Sequence, residues 1–379
     1  MRILIAPDKF KGSLSAQQVA ENIALGIRDV IPDAQIEIAP VADGGEGTAE
    51  VICKARGGEW VTCHAHGPLG NPIEARYVWL SENASAVIEM SEAAGLRALK
   101  DGVRDVLRAN TFGVGEMLLD GAKRGAREII VGVGGSVTND GGFGMARAFG
   151  FRFFTGEREI ENGGPAELIG LARIEAPLAA GVSPAKYSQM QPTRLPLQLK
   201  IIAACDVKNP LLGESGATRT FAPQKGATPD ELEILERALT RLADTVTREL
   251  GCDFRNNPGA GAAGGLGFGL MSFCSGELRP GFDVVGDVVE LEEKIRRADV
   301  LITGEGKLDR QTLEGKAPAG VARLARKFGL RVFAVVGHAA PDQHVRDTFD
   351  DVYELGGSIP QARELLRERA RELGAALKH

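Results

Sequence analysis

The sequence predicts an α/β protein of two domains, one of them a parallel sheet assembled from both ends of the chain. Three observations carry that expectation. Both termini alternate short β-rich runs with segments of helical spacing. The middle of the chain is less regular. And 379 residues exceed what one ordinary core organises.

Residues 3–6 form a first strand that ends at Pro7-Asp8. Ser15 and Gln18 make a capping box, and Val19, Ile23, Ile27 and Val30 repeat at helical spacing until Pro32. Residues 35–41 read as a second strand, followed by Asp43-Gly44-Gly45-Glu46-Gly47-Thr48 and a helix over 49–55 that Gly57-Gly58 stops. Toward the other end, residues 300–302 read as a strand leading into Thr303-Gly304-Glu305-Gly306. A helix over 318–327 follows, then strands over 332–336 and 351–355. The closing helix has Pro360 near its start and Leu365, Leu366 and Leu373 on its apolar side. Five apolar strands, each followed by a helix, predict a parallel sheet covered on both faces. The expected domains are therefore 1–60 with 288–379, and an inserted α/β domain over 61–287.

Within the insert, residues 77–80 and 86–90 read as an antiparallel pair around Ser81-Glu82-Asn83. Thr111 caps a helix through Val114, Met117 and Leu118, which leads to a strand over 129–131. A strand over 199–204 ends at Cys205-Asp206, and residues 229–250 are well patterned as a helix. Residues 151–197, with Gly163-Gly164 and several prolines, read as long loops.

Composition excludes several functions. The net charge is −6 with no basic stripe, which argues against nucleic acid. No stretch approaches ~18 uninterrupted apolar residues, so no membrane span is expected, and the opening apolar run is too short for a signal peptide. The five cysteines are odd in number and scattered, as in a cytoplasmic protein with reduced thiols and no structural zinc. Homo-oligomerisation is left open. The 49 glycines fall in short clusters after apolar runs, where they read as ligand-contacting turns rather than linkers.

Ligands of open α/β sheets bind at the carboxyl ends of the strands. There the sequence places Asp8 and Lys9, then Asp43 with Gly44 and Gly45, then Glu305 with Lys307 and Asp309. Acids gathered on one edge repel unless a cation joins them. Mg²⁺ holding phosphate oxygens is the simplest such cation, with Lys9, Lys11, Lys307 and Lys316 near enough to neutralise phosphate or a substrate carboxylate. For each acid taken singly, a helix N-cap or a solvated loop explains it equally well.

A second cluster is Gly132-Val133-Gly134-Gly135-Ser136-Val137-Thr138-Asn139-Asp140-Gly141-Gly142, a strand running into small residues that resembles an anion cradle of backbone N–H groups. Glycine-rich packing turns are its alternative. Asp206-Val207-Lys208-Asn209-Pro210 and Pro223-Gln224-Lys225-Gly226 place a carboxylate after a strand and a lysine some way on, which turn chemistry also explains. Residues 259–267 match GxGxxG formally, but Asn256-Asn257-Pro258 stands where a buried strand belongs, which favours close helix packing over a dinucleotide. No P-loop, protein-kinase set or GxSxG elbow occurs. The five histidines show no metal spacing; His338 could reach the cleft or be a hydrogen-bonded core or rim residue.

Taken together, Ala6-Pro7-Asp8-Lys9-Phe10-Lys11-Gly12-Ser13, Pro40-Val41-Ala42-Asp43-Gly44-Gly45-Glu46-Gly47-Thr48, the 134–142 loop, Ala204-Cys205-Asp206-Val207-Lys208-Asn209-Pro210-Leu211, residues 259–265, Ile302-Thr303-Gly304-Glu305-Gly306-Lys307-Leu308-Asp309, Gln311-Thr312 and Gly315-Lys316-Ala317-Pro318 resemble the signatures of the type-1 glycerate kinases. They run in order from residue 4 to about 320. Two positions depart: Lys9 stands where Ser is common in that family, and Val137 where Ala is common.

The resemblance implies a flavodoxin-like domain with a second α/β domain inserted, and the active site between the lobes. It implies ATP-dependent phosphorylation of D-glycerate at the 2-hydroxyl, giving 2-phosphoglycerate, with ATP and Mg²⁺ required; 3-phosphoglycerate is the alternative product. Asp43, Lys11 and Asp206 are then the expected catalytic residues. Asp8, Lys9, Gly44, Gly45, Gly134, Gly135, Ser136, Asn139, Asp140 and Lys316 are expected to bind glycerate or nucleotide, and Glu305 and Asp309 to hold metal. A nicotinamide-dependent reductase of a small hydroxy acid and a non-catalytic binding protein are the rival readings.

Overall fold

A five-stranded sheet draws on both ends of the chain in the computed structural model, which describes residues 1–99, 103–177, 199–313, 316–356 and 361–378. The first end supplies β1 (Arg2–Ile5) and β2 (Gln35–Ile38). The middle supplies β3 (Glu59–His66), β4 (Pro72–Leu80), β5 (Ser85–Glu89), β6 (Glu128–Gly132), β7 (Arg152–Thr155), β8 (Arg158–Glu159), β9 (Arg173–Glu175), β10 (Lys200–Ala204) and β11 (Glu277–Arg279). The second end supplies β12 (Val300–Thr303), β13 (Lys307–Leu308), β14 (Arg331–Val336), β15 (His338–Ala339) and β16 (Asp351–Glu354).

The chain divides into two units, Met1–Arg56 with Pro280–His379, and Gly57–Arg279. In the terminal unit the order is β16-β14-β12-β1-β2, with every pair parallel. Renumbered within the unit, this is 5-4-3-1-2, the flavodoxin-like doubly wound order. Its central strands β1, β12 and β14 are near-continuous apolar runs because helices cover both faces, whereas the edge strands β2 and β16 carry polar residues. Ile3, Leu4, Ile5, Val300, Leu301 and Ile302 are all buried.

Local chemistry sets the ends of the elements. Helix Ala16–Val30 starts at the expected capping box: Ser15 Oγ accepts from Gln18 N at 3.4 Å, and Gln18 Oε1 accepts from Ser15 N at 3.1 Å. It packs on the closing helix Ala362–Leu377, and a Cβ at Gly26 would lie 2.4 Å from the Arg367 carbonyl oxygen. Pro360, expected near the start of that helix, lies outside the described residues.

The expected domain edge at 288 differs from the observed one at 280 because helix Gly281–Val288 belongs to the terminal core. A Cβ at Gly281 would come within 2.1 Å of the Asp43 carbonyl oxygen, and one at Gly320 within 2.5 Å of the Phe282 ring. The expected edge at 60 falls inside β3, which belongs wholly to the inserted unit.

The inserted unit is built on a mixed sheet ordered β11-β10-β6-β5-β4-β3. The expected hairpin is present as β4 and β5, antiparallel through Val78 and Val87. β3 was not foreseen. Its sequence, Glu-Trp-Val-Thr-Cys-His-Ala-His, buries only Cys63 and Ala65 fully, as an edge strand can. Residues 151–177 are also more ordered than expected, since β8-β7-β9 form a small sheet. Phe151 and Phe153 pack edge-on against Phe273, supplying the apolar anchor. Residues 178–198, the rest of that stretch, lie outside the description.

Helix Pro229–Leu250 matches its expected limits, held by a Thr228–Glu231 capping box and by Gly251 at φ 70°. Among the described residues no helix is long and apolar enough to cross a membrane, and no disulfide joins the cysteines.

Candidate active site at the strand tips

The order of the terminal sheet reverses between β1 and β12, and in this fold that is where the crevice for a ligand opens. Asp8 follows β1 and Glu305 follows β12, so the two carboxylates flank the switch point. Backbone hydrogen bonds continue past the strands, from Ala6 N to Ile302 O and from Asp8 N to Gly304 O, both at 2.8 Å. Val41 N donates to Pro7 O at 3.0 Å and brings the segment after β2, with Asp43, to the same edge. A cavity of about 540 Å³ lies there, lined by Asp8, Asp43, Glu305 and Asp309 among its acids and by Lys9, Lys11, Lys307 and Lys316.

Each acid is held differently. Asp8 is 9% exposed and accepts from Lys9 N at 2.6 Å. Burial above all, and then the Asp43 carboxylate, push its pKa up to about 8. Glu305 is 7% exposed; burial pushes it up to about 7 while the Thr312 hydroxyl and Lys316 oppose the rise. Thr312 Oγ1 donates to Glu305 Oε1 at 2.6 Å and accepts from Asp309 N at 3.1 Å, so one buried threonine spaces two acids. Asp43 is half-buried and accepts from Gly45 N at 3.1 Å. Gly44 adopts φ 85°, which only glycine takes without strain.

The lysines carry the balancing charge. Lys9 Nζ donates to the Glu46 carbonyl oxygen, and Lys307 Nζ lies 3.1 Å from Asp309 Oδ2. Lys316 occupies the N-cap position of helix Ala317–Lys327, where unpaired backbone N–H groups also favour an anion. Gly315, quoted beside it in the sequence signature, lies outside the described residues. His338 also lines the cavity, and its Nδ1 is 2.6 Å from Glu354 Oε1. It is a hydrogen-bonded rim histidine.

Among the described residues no group of three or more His, Cys, Asp or Glu side chains forms a ready cage for a metal. Mg²⁺ does not need one: it takes one or two protein carboxylates and completes its octahedron with water and phosphate oxygens. The donor set here fits that habit. Asp8 and Glu305 titrate high because each is buried beside other acids, and a bound divalent cation relieves that repulsion.

The remaining candidates belong to the inserted unit. Asp206 sits just past β10, half-buried. The loop after β6 exposes Gly135 and half-exposes Gly134 and Ser136, whereas Thr138, Asn139 and Asp140 are wholly buried. Asn139 Nδ2 donates to Thr218 Oγ1 at 3.0 Å.

Asp140, expected to contact a ligand, turns inward instead. Its Oδ2 accepts from Thr111 N, Thr111 Oγ1 and Gly144 N at 2.8, 2.8 and 2.9 Å, and its Oδ1 from Gly142 N at 3.2 Å. Both oxygens serve the protein, which makes Asp140 a buttress of the loop. Thr111 stands at its expected N-cap position, but its hydroxyl serves Asp140 rather than the helix.

The GxGxxG stretch runs into helix Ala262–Cys274 from turns, with Ala263, Gly264 and Gly265 left-handed, and no strand precedes it. A Cβ at Gly264 would lie 2.1 Å from the Thr138 carbonyl oxygen, and one at Gly265 would lie 2.8 Å from Gly141 Cα. These glycines let the helix pack on the 134–142 loop; the structural context of a dinucleotide fingerprint is missing.

Sequence reasoning named Thr312 only within the family signature, Thr111 only as a helix cap and Lys225 only as the lysine following Asp206; it assigned none of them to the site. Thr312 and Thr111 are ordinary in sequence and matter only through what they touch. Lys225 was visible but carried no signal beyond its turn.

A doubly wound sheet with acids and lysines at its switch point frames an α/β enzyme acting on an anionic ligand. Comparison with known proteins narrows the class. The family model described as the glycerate kinase family matches residues 3–379. A glycerate kinase of Halalkalibacterium halodurans is 40% identical across 98% of this chain and 97% of that protein. A glycerate 2-kinase of Escherichia coli K12 is 40% identical across 96% of this chain and 93% of its own length. A crystal structure from Salmonella typhimurium LT2, described as that of a candidate glycerate kinase 2, superposes with a TM-score of 0.84 at 39% identity. The match covers 100% of this chain and 98% of that one. The chain is a kinase and belongs to the glycerate kinase family.

Proposed function

We propose that this enzyme transfers the γ-phosphoryl group of ATP to the 2-hydroxyl of D-glycerate, giving 2-phosphoglycerate and ADP in the cytoplasm. The observation that carries the proposal is the junction of Asp8, Asp43 and Glu305 with Lys11 and Lys316 around one cavity at the β1/β12 switch point. The 40% identity to a relative named glycerate 2-kinase supports the choice of hydroxyl.

Phosphoryl transfer asks for positioning and charge neutralisation more than for covalent chemistry. Asp43, half-buried and fixed through Gly45 N, accepts the proton of the attacking hydroxyl. That oxygen forms its bond to the γ-phosphorus while the bridging oxygen leaves with ADP. Asp8, Glu305 and Asp309 are the residues to hold Mg²⁺, directly or through its waters, and the ion bound there supplies positive charge to the phosphate oxygens. Lys11 and Lys316 meet the carboxylate of glycerate and the transferred group. Lys9, already tied to Glu46 O, keeps the glycine-rich turn after Asp43 in place beside the nucleotide. Gly44 and Gly45 leave room there for close backbone approach. In the inserted unit, on the strength of the family signature, Asp206 is assigned a catalytic role and the loop bearing Gly134, Gly135, Ser136 and Asn139 the binding of glycerate or nucleotide.

Incubation with ATP, MgCl₂ and D-glycerate, followed by ³¹P and ¹³C NMR of the product, tests the reading. Phosphorus coupled to C2 of glycerate is the expected result. Coupling to C3 replaces the product with 3-phosphoglycerate, and no glycerate-dependent ADP release removes the proposal.

A further inference from the structure

The inserted unit buries a cation that nothing in the mechanism above uses. Lys225, at the end of the short helical turn Pro223–Lys225, is only 5% exposed. Its Nζ donates to Ser136 Oγ at 2.8 Å and to the Thr138 carbonyl oxygen at 2.6 Å. Among the described residues no carboxylate comes within ion-pair distance of it; Asp140 acts on it from further off, with its own oxygens committed elsewhere. A buried ammonium without a counter-charge costs several kcal/mol, and lysine is almost never buried that way unless something pairs with it.

Around it stand groups that suit an anion. Ser136 is half-exposed, so the Lys225–Ser136 hydrogen bond runs from the interior to the surface of the glycine-rich loop. Among the described residues, no hydrogen bond is found to the backbone N–H groups of Gly134 and Gly135, and Gly135 is left-handed at φ 78°. Successive free N–H groups beside a left-handed residue form the concavity that binds phosphate oxygens. The hydroxyl of Thr138, wholly buried, has no partner among the described residues and is a further donor.

We propose that Lys225, relayed through Ser136, is the cationic floor of a phosphate-binding site whose walls are the backbone N–H groups of Gly134 and Gly135. This deepens the functional reading by giving the loop a ligand class, a phosphate group of the nucleotide, and a charged residue that neither the family signature nor the site assignment above includes. Ser136 Oγ accepts from the Lys225 ammonium and still has its own O–H to donate, and the phosphate receives that hydrogen. Without the anion, burial pushes the Lys225 pKa down to about 7, so the empty site carries its charge only part of the time.

The test reads Lys225 itself, in the full-length protein labelled with [ε-¹³C]lysine. Its methylene signal is identified by its disappearance in K225R and is followed as pH is raised. Sodium tripolyphosphate without metal is expected to raise the midpoint by about one pH unit, equivalent to about ten-fold tighter anion binding to the charged form. D-Glycerate is expected to leave it where it was. A midpoint unmoved by tripolyphosphate, or moved by glycerate instead, overturns the proposal. Should K225R fail to fold, S136A in the labelled protein decides: a tripolyphosphate response as large as in the parent chain sinks the relay. None of these measurements needs turnover, so a chain that binds tripolyphosphate here yet fails to phosphorylate glycerate refutes the functional reading alone.

Discussion

Thr312 holds Glu305 and Asp309 apart: its hydroxyl gives a hydrogen to Glu305 Oε1 at 2.6 Å and takes one from Asp309 N at 3.1 Å. A hydrogen bond to a charged acceptor contributes roughly 1.5–3 kcal/mol. Thr312→Val keeps the shape and removes the donor, so the Glu305 carboxyl rises further in pKa. The expected outcome is a higher half-saturating Mg²⁺ concentration in the kinase assay and an acid limb of the pH–rate profile displaced to higher pH. Unchanged Mg²⁺ dependence would reduce Thr312 to packing.

Asp43 is exposed enough for its replacement to be tolerated by the fold, and it accepts only the Gly45 N–H among the hydrogen bonds described. Asp43→Asn preserves that bond and removes both charge and basicity. A drop in kcat of about 10²-fold or more is expected, the range typical of a lost general base. Circular dichroism and the melting temperature should stay close to those of the parent. Near-normal turnover takes Asp43 out of the chemistry.

The raised pKa of Asp8 sets the sign of a stability effect. Its ordinary value is about 3.9, and in the folded chain it reaches about 8. Across that window the folded chain holds a proton that the unfolded chain has released, so unfolding free energy falls as pH rises. Below the window the penalty is absent; above it the penalty is complete. Asp8→Asn cannot ionise, so the stability of D8N relative to the parent should grow from pH 5 to pH 8 and then level off in urea denaturation. Lys225 contributes the opposite slope above about 7 in both proteins, and the comparison cancels it. A difference that does not depend on pH would place Asp8 in a far more solvated setting than the structure gives it.

Asp140 is the counterexample to reading every acid as a ligand. Four donors converge on a carboxylate with no exposure. Asp140→Asn turns one acceptor into a donor that faces other donors, and about 2–4 kcal/mol of stability should be lost. Equilibrium unfolding checks this. Equal stability would show that the loop re-forms its contacts another way.

Gly264 leaves no space for a side chain, since a Cβ would lie 2.1 Å from Thr138 O at a left-handed φ of 69°. Gly264→Ala should cost roughly 2–4 kcal/mol, combining strain with overpacking. It should also weaken binding of whatever the 134–139 loop holds. A fully stable G264A would mean that the helix can back away from the loop.

Most of the terminal domain was legible in the sequence because a doubly wound sheet announces itself locally. Its strands are short apolar runs, the Ser15 and Gln18 pair marks a helix start, and an acid follows each of β1, β2 and β12. The same local reading missed β3, whose edge position leaves too few apolar residues to mark it. It also took 151–177 for loop, where Phe151 and Phe153 find their partner Phe273 more than a hundred residues away in sequence. Helix Gly281–Val288 went to the wrong domain for a similar reason: Gly281 and Phe282 declare their allegiance only through Asp43 and Gly320.

By itself, then, the sequence determined which segments are strands and helices in the terminal domain, and which acids and lysines stand at their tips. Periodicity, capping and glycine placement act within a few residues of chain. Tertiary structure alone decided which of those charged groups share one environment. Asp8 and Asp140 are both acids in segments that follow parallel strands, yet the first is buried against other carboxylates and the second against donors. Burial and electrostatic neighbours are properties of space, and a one-dimensional pattern does not record them.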